Sequence, residues 1–350
     1  MLKPLTEQLR AAKPLTDEQV HDAVLALIDE AVPAAMKAEF LTALAQKGET
    51  IVEIAAFARE LRARAIEPPL DPDTRAREIL DVCGTGGDRL NTFNISTTVA
   101  IVAAAAGILV AKHGNRAITS QAGSADVLEA LGIRIDLSPE EAARCLRERG
   151  FAFFFAPKYH PAFRHIGPAR KLCTERGQRT IFNFLGPLLN SARPSAQLVG
   201  VPRPELCEPL ARVLQSLGVR RAMVVSGRAG EGVGGACLDE FSTLGENFVA
   251  EFYQDRGFAT STLGLEHFPL QPATLSDLAG ADREANARIV RDILAGRERG
   301  PKRDAVLLNA AAALLVAGRS RTLSEGWDAA ARLIDSGAAA AKLDALVAPL

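Results

Sequence analysis

Cysteine is sparse in this chain and unpaired in its spacing. The five residues, Cys83, Cys145, Cys173, Cys207 and Cys237, are odd in number, widely separated and without a CxxC, which argues against a disulfide framework or a thiolate zinc site. Charge of one sign is not in excess either: 41 Lys and Arg face 42 Asp and Glu, a formal net charge of -1. No global field attracts nucleic acid or an anionic membrane, so any anionic ligand must be held by a local cluster. Long hydrophobic runs are missing as well. The most apolar segment, Val99 to Ala111, stops at Lys112 and is too short to span a bilayer. The opening segment MLKPLTEQLRAAKPLTDEQV has no continuous apolar core of the secretory kind, and there is no internal repeat. The expectation is a cytoplasmic chain with neither nucleic acid nor membrane as partner.

What is present points to a folded protein with a substantial core: 350 residues, 48% hydrophobic and 24% charged, room for one large domain with or without a smaller one. Near the start, Thr16 can cap a helix, Gln19 can reciprocate and Leu15 can staple onto Val20. Val20, Val24, Leu27 and Ile28 then share one face. Helical patterns follow at Ala34 to Gln46 and at Thr50 to Ala65, before the proline- and aspartate-rich connection IEPPLDPDTRA. From Ile79 the pattern changes to short apolar stretches (ILDVCG, ILVAKHGN, IRIDL, later RAMVVSG and NFVAEFY) alternating with helical ones, and DAVLLNAAAALLVAG reads as a core helix. Strand, glycine turn and helix in repetition indicate an α/β fold with a mainly parallel central sheet.

The stretch DVCGTGGDRLNTFNISTTVA, Asp81 to Ala100, is the most telling. Glycines after a strand let backbone N–H groups surround an anion, and the helix starting near Asn94 to Thr97 adds its own free N–H groups and positive end. The spacing is neither GxGxxG nor a Walker loop. A tight turn with a capping Asn94 or Ser96 explains the glycines but not Asp88 together with Asn94, Ser96 and Thr97. A second cluster, AKHGNRAITSQAGSADVLEALG, follows the next strand and falls at the same sheet edge, where open α/β folds place ligands. Lys112 can neutralise phosphate there, or be a solvated charge; His113 and Asn115 can donate directional hydrogen bonds, and Gly123-Ser124 opens a helix. Asp239 and Glu240, in LDE, can both reach Mg²⁺ from a loop, though any chain this acidic holds such pairs by chance. Finally, YHPAFRHIGPARKLCTERGQRTIFNFLGPLLN gathers Arg164, Arg170, Arg176 and Arg179; arginine's planar fork suits a carboxylate or phosphate.

Taken in order, GTGGD with NxST, KHGNR, GSADVLEALG, HPA, RTIFNxLGPL and LDE resemble the anthranilate phosphoribosyltransferases of tryptophan biosynthesis, over roughly residues 10 to 330. The resemblance implies transfer of a phosphoribosyl group from 5-phosphoribosyl 1-diphosphate (PRPP) to anthranilate with Mg²⁺, two ions being expected. It also implies a homodimer formed through a small helical domain, and it admits a glutamine amidotransferase subunit as partner. The helical domain would span residues 1–70, completed by helices from about 165–195, with 75–164 and 196–350 forming the α/β catalytic domain. Residue by residue, it assigns Gly84, Thr85, Gly87, Asp88, Asn94, Ser96, Thr97, Lys112 and Ser124 to PRPP. Ser96, Asp239 and Glu240 fall to the metal. Gly84, His113, Asn115, His160, Arg170, Gly186 and Pro187 fall to anthranilate, and Asp88, Lys112 and Arg170 are the residues expected to carry catalysis.

Three places depart from the family pattern: Gln121 and Ala122 stand where lysine and serine are common, and both KLCTERGQ after Arg170 and GRAGEGVGGACLDE are longer than usual. No nucleophile and base dyad is evident, so neither His113 nor His160 is expected to act as a general base. Two rivals are a pyrimidine nucleoside phosphorylase, whose glycine-rich phosphate signature is missing, and a nucleic-acid-binding relative, which would not need Asp88, Ser96, Asp239 and Glu240 together.

Overall fold

Four helices open the chain: α1 (Leu2–Arg10), α2 (Asp17–Ile28), α3 (Ala34–Lys47) and α4 (Ile51–Arg62). The structure is a computed structural model that describes residues 1–117, 121–254 and 257–349; 118–120, part of the second polar cluster, lie outside the described residues. α2 begins as its sequence requires, the Thr16 hydroxyl accepting from the Gln19 N–H at 3.2 Å and the Gln19 side chain from the Thr16 N–H at 3.0 Å. Val20, Val24 and Leu27 are fully buried. They belong to an apolar core shared with Ile166, Ala169, Ile181 and Leu188 and with sheet residues Val199, Val224 and Phe252. Middle-chain segments therefore pack on the N-terminal helices. Lys37 on α3 ties them together: its buried ammonium donates to the carbonyls of Asp29 (2.7 Å) and His165 (2.9 Å).

The sheet holds eight strands among the described residues, in the order β3-β2-β1-β4-β5-β7-β8 with β6 on β5. These are β1 (Ile79–Gly84), β2 (Leu109–Gly114), β3 (Phe151–Phe155), β4 (Ala196–Gly200), β5 (Arg221–Arg228), β6 (Cys237–Leu238), β7 (Asn247–Tyr253) and β8 (Gly257–Leu263). β3 through β5 run parallel, while β6, β7 and β8 pair antiparallel. The expected fold class, a small helical unit beside a larger α/β unit, is what the structure shows. One expected strand is not. IRIDL alternates as a strand should, Ile133, Ile135 and Leu137 being buried and Arg134 and Asp136 exposed, yet it makes no ladder. Its apolar side chains are satisfied by packing alone, and the edge position beside β2 is taken by FAFFF, the true β3.

β1 is followed in sequence by β2 and β3 on one side, whereas its other neighbour, β4, leads to β5 on the far side. The order of connection thus reverses between β1 and β4, and crevices at such a point, beyond the carboxyl ends of the strands, are where open α/β sheets bind ligands. Gly84 and Gly200, the last residues of β1 and β4, are register partners there.

Candidate functional site

The glycine-rich loop leaves β1 at this switch point. Gly86 and Gly87 take φ of +74° and +86°, the left-handed region that glycine enters without steric cost, and the Thr85 N–H is tied to the Gly200 carbonyl at 2.9 Å. Asp88 turns back on its own loop and accepts from the Leu90 N–H at 3.1 Å. From the other side of the cleft, Arg179 Nη2 donates to the Gly87 carbonyl at 3.2 Å.

Asp239 and Glu240, about 150 residues later in sequence, lie directly over this loop. A Cβ placed on Gly84 would stand 2.0 Å from Asp239 Oδ2, and one on Gly200 only 1.5 Å from the Asp239 carbonyl oxygen. Two hydrogen atoms in place of two side chains therefore let the acidic pair settle onto the ends of β1 and β4. Asp239 Oδ2 accepts the Gly86 N–H at 2.7 Å and Glu240 Oε1 the Ser96 N–H at 3.1 Å. Both amides were expected to face phosphate; here each is held by a carboxylate. Burial and the neighbouring Asp88 carboxylate push the Asp239 carboxyl well up. Glu240 is pushed up to about 7 by burial, with Lys112 and the Ser96 amide opposing.

Lys112, on β2, is fully buried, its Nζ donating to the Val82 carbonyl at 2.6 Å and to Ser96 Oγ at 3.4 Å. It is thus no solvated charge but the cation under the floor of the site. Beside it Asp81, also fully buried, accepts from Asn190 Nδ2 at 2.9 Å and from the His113 N–H at 3.3 Å. Burial pushes Asp81 up to about 6 against the pull of Lys112. Thr97 is buried, its hydroxyl without a hydrogen-bond partner among the described residues. Asn94 does not cap its helix with its side chain; it donates to the Ala122 carbonyl at 3.1 Å and accepts from Asn286 at 2.9 Å. Ser124 Oγ and the Ala125 N–H both reach the Asn115 carbonyl, at 3.3 and 3.2 Å.

A row of rings forms the other half of the site. His113 meets His160 edge-on with centroids 5.6 Å apart, His160 meets Phe163 at 5.0 Å, and Phe163 meets Phe182 at 5.7 Å. The guanidinium of Arg170 closes the row, 5.4 Å over the Phe182 ring. Arg170 has no carboxylate partner among the described residues, and burial lowers its pKa. Arg164, by contrast, is exposed and spends its Nε on His165. Gly186 lies at the surface and Pro187 is buried, the Pro187 carbonyl accepting from Gln197 Nε2 at 2.9 Å. Phe163, Phe182, Asp81 and Asn190 carry no role in the sequence reading although all four stand inside quoted stretches, and Gly200 gave no motif signal at all.

Burial depresses both imidazoles, His113 to about 3 and His160 to about 4. His160 Nε2 donates to the Leu189 carbonyl at 2.9 Å, while His113 Nε2 has no hydrogen-bond partner among the described residues. Both rings are neutral near pH 7, which fits orientation of a substrate better than base catalysis. An unfolded histidine takes up its proton near pH 6.5, whereas these native rings resist until about 3 and 4. The unfolded chain binds more protons across that window, so stability is full above about pH 7 and lost as pH falls, by about 2 kcal/mol per histidine at pH 5. Urea midpoints at pH 7 and pH 5 should show that loss, and the gap should narrow in His113→Gln/His160→Gln. An unchanged gap would refute the buried neutral rings.

Comparison with known proteins bears on the same residues. Residues 3–65 match the family described as glycosyl transferase family, helical bundle domain, and residues 76–340 its a/b domain. The anthranilate phosphoribosyltransferase of Symbiobacterium thermophilum is 49% identical over 97% of this chain and 94% of its own. The chain belongs to the anthranilate phosphoribosyltransferase family. Among solved structures, the Thermus thermophilus anthranilate phosphoribosyltransferase superposes with a TM-score of 0.86 at 40% identity, covering 98% of both chains. The enzyme of Saccharomyces cerevisiae in complex with PRPP and Mg superposes at 0.85 with 28% identity, over 99% of this chain and 96% of that one. Family membership gives the phosphoribosyltransferase activity its frame, and the switch-point cleft described above is where the chemistry of this member is sought.

Proposed function

We infer that the chain transfers the 5-phosphoribosyl group of PRPP to the amine of anthranilate, giving N-(5-phosphoribosyl)anthranilate and diphosphate. The observation that carries this reading is the pairing of two unlike halves in one cleft: a carboxylate-topped glycine loop at the switch point, and a row of rings ending in an unpaired guanidinium. In the reaction the amine nitrogen forms a bond to the anomeric carbon as the bond from that carbon to diphosphate breaks; the amine proton leaves to solvent. The aromatic amine is neutral near pH 7 and needs orientation more than activation. That agrees with neutral His113 and His160.

The donor set suits Mg²⁺. Asp239, Glu240 and Ser96 offer only oxygen, and the two carboxylates stand together beside Asp88 with their pKa values raised, an arrangement that a cation relieves. Among the described residues no group of three or more His, Cys, Asp or Glu is placed to hold a metal ion, so substrate phosphates and water would have to complete the shell. Bound there, Mg²⁺ neutralises the charge that develops on diphosphate. Lys112 adds fixed positive charge beneath the loop, and the glycine turn gives diphosphate close access to backbone. Gly84, Thr85, Gly87, Asp88, Asn94, Thr97 and Ser124 border this half, while His113, Asn115, His160, Gly186 and Pro187 border the anthranilate half. The division into a helical domain, residues 1–70 with 165–195, and an α/β domain is proposed on the same basis. A homodimer through the helical domain is proposed from the family resemblance.

Fluorescence-monitored loss of anthranilate with PRPP, run with Mg²⁺ and with chelator, tests the reaction. No loss with Mg²⁺, or turnover of thymidine instead, would sink it. Within it, Arg170→Ala should lower kcat/KM for anthranilate roughly thirtyfold, the equivalent of about 2 kcal/mol for a charge-assisted contact. Equilibrium affinity for PRPP should stay nearly unchanged. Lysine should rescue only in part, because it lacks the planar fork. Unchanged anthranilate kinetics, with the loss appearing in Arg164→Ala, Arg176→Ala or Arg179→Ala, would move the carboxylate contact to that residue.

A further inference from the structure

The acidic pair stands on a connection without regular structure, and what shapes that connection comes from the far end of the chain. Helix Pro301–Val316 is buried along most of its length and rich in alanine and leucine. Within it Asn309 is fully buried. An asparagine is a poor choice for a helix interior, and a buried amide is costly unless its polar atoms are all partnered. Those of Asn309 are. Oδ1 accepts the Phe241 N–H at 2.9 Å, and Nδ2 donates to the Phe241 carbonyl at 2.8 Å and the Ala305 carbonyl at 2.9 Å. One carboxamide thus pairs with both backbone groups of a single residue, as a neighbouring strand would. That residue directly follows Glu240.

The next residue is held the same way. Asn247, also fully buried, accepts the Ser242 N–H at 2.7 Å and donates to the Ser242 carbonyl at 3.0 Å. On the opposite side, the Asp239 backbone rests against Gly84 and Gly200 with no room for a methyl group. The peptide carrying the pair is therefore confined between strand ends on one side and the Asn309 amide on the other.

We propose that Asn309 is a positioning residue for the metal pair: its carboxamide fixes the Phe241 peptide, and through it the angle at which Asp239 and Glu240 meet Mg²⁺. This rests on the Mg²⁺ reading above. Partners one step removed from a metal ligand typically matter about 10–100-fold in metal affinity or activity. The variant Asn309→Leu keeps the volume and removes every polar contact. Leu308→Ala, a fully buried neighbour on the same helix, loosens the packing without touching the clamp.

Four measurements on the full chain decide it: amide hydrogen exchange in the free protein, calorimetric titration of PRPP at graded Mg²⁺, steady-state kinetics with anthranilate, and thermal unfolding. Asn309→Leu should speed exchange at the Phe241 and Ser242 amides and raise the Mg²⁺ needed for half-maximal PRPP binding about 10–100-fold. KM for anthranilate should hardly move. Leu308→Ala should lower Tm and leave the Mg²⁺ requirement as it was. Equal shifts in both variants, or a requirement within about twofold of the parent in Asn309→Leu, would overturn the proposal. Should Asn309→Leu not fold, Asn309→Asp keeps an acceptor for the Phe241 N–H and loses the donors, and an intermediate shift is expected; no shift would count against it equally. The parent protein gives a check without any variant, since a Phe241 amide exchanging as fast as exposed loop amides means there is no clamp. A parent that binds PRPP with no Mg²⁺ dependence would instead remove the metal reading, and this proposal with it, even with the Phe241 amide protected.

Discussion

Replacing Asp239 by Asn and Glu240 by Gln together should lower turnover by about a thousandfold or more, with no recovery at raised Mg²⁺, while the fold survives. The magnitude follows from losing two charges where a single misplaced donor commonly costs 10²–10³. The survival follows from geometry. Each carboxylate accepts one backbone N–H, from Gly86 and from Ser96, and an amide oxygen of the same shape can accept it too. What the substitution removes is the burial of two charges, which raises both pKa values, and their crowding with Asp88, which adds to it. The free variant should therefore melt no lower than the parent, the usual relation between a functional site and stability. PRPP with Mg²⁺ should raise the parent's Tm and leave the variant's where it was, by the linkage of binding to stability. Near-normal turnover of the variant at limiting Mg²⁺ would end the assignment of the pair.

Much of this site was readable in the sequence because its parts are local. A glycine turn after a strand, a capping box at Thr16 and Gln19, and a polar cluster after the next strand depend on neighbours a few residues away, and each lies where its pattern indicated. Alternation alone misled at IRIDL, because period-two burial shows that one face is covered but not that the edges are paired. FAFFF failed in the opposite direction: a strand buried on both faces does not alternate. The site residues that went unread act across the fold. Asp81 reads as part of a strand, and its meaning lies in Asn190, 109 residues away. Asn309 reads as a flaw in an apolar helix until the Phe241 peptide, 68 residues off, is placed against it. The sequence puts a lysine at 112 but is silent on its direction, since no pattern says that its Nζ turns inward to the Val82 carbonyl.

Gly200 is the sharpest case of a residue whose role only the packing discloses, and Gly200→Ala should be nearly as damaging as loss of the acidic pair. Its backbone is not in the left-handed region, so the reason for glycine is space. The added methyl carbon would stand 1.5 Å from the Asp239 carbonyl oxygen, 2.2 Å from its carbon and 3.0 Å from the Glu240 nitrogen. These are backbone atoms that no rotamer change can move. Gly200 is itself paired on both sides, to Gly84 and to Val225, so β4 is poorly placed to retreat, and the Asp239–Glu240 peptide must lift by well over an ångström. Displacement of a reacting group by about 1 Å can cost 10²-fold, and here both metal-side carboxylates move together. Turnover should fall by at least about 10²-fold, with a raised Mg²⁺ requirement and little change in anthranilate KM at saturating PRPP, since the ring row from His113 to Arg170 is untouched. Gly167→Ala serves as the control, because nothing lies within 4 Å of a methyl group there and the residue begins the helix Gly167–Glu175. A Gly200→Ala protein with parental Mg²⁺ dependence and turnover would show that the acidic pair does not need to rest on the ends of β1 and β4.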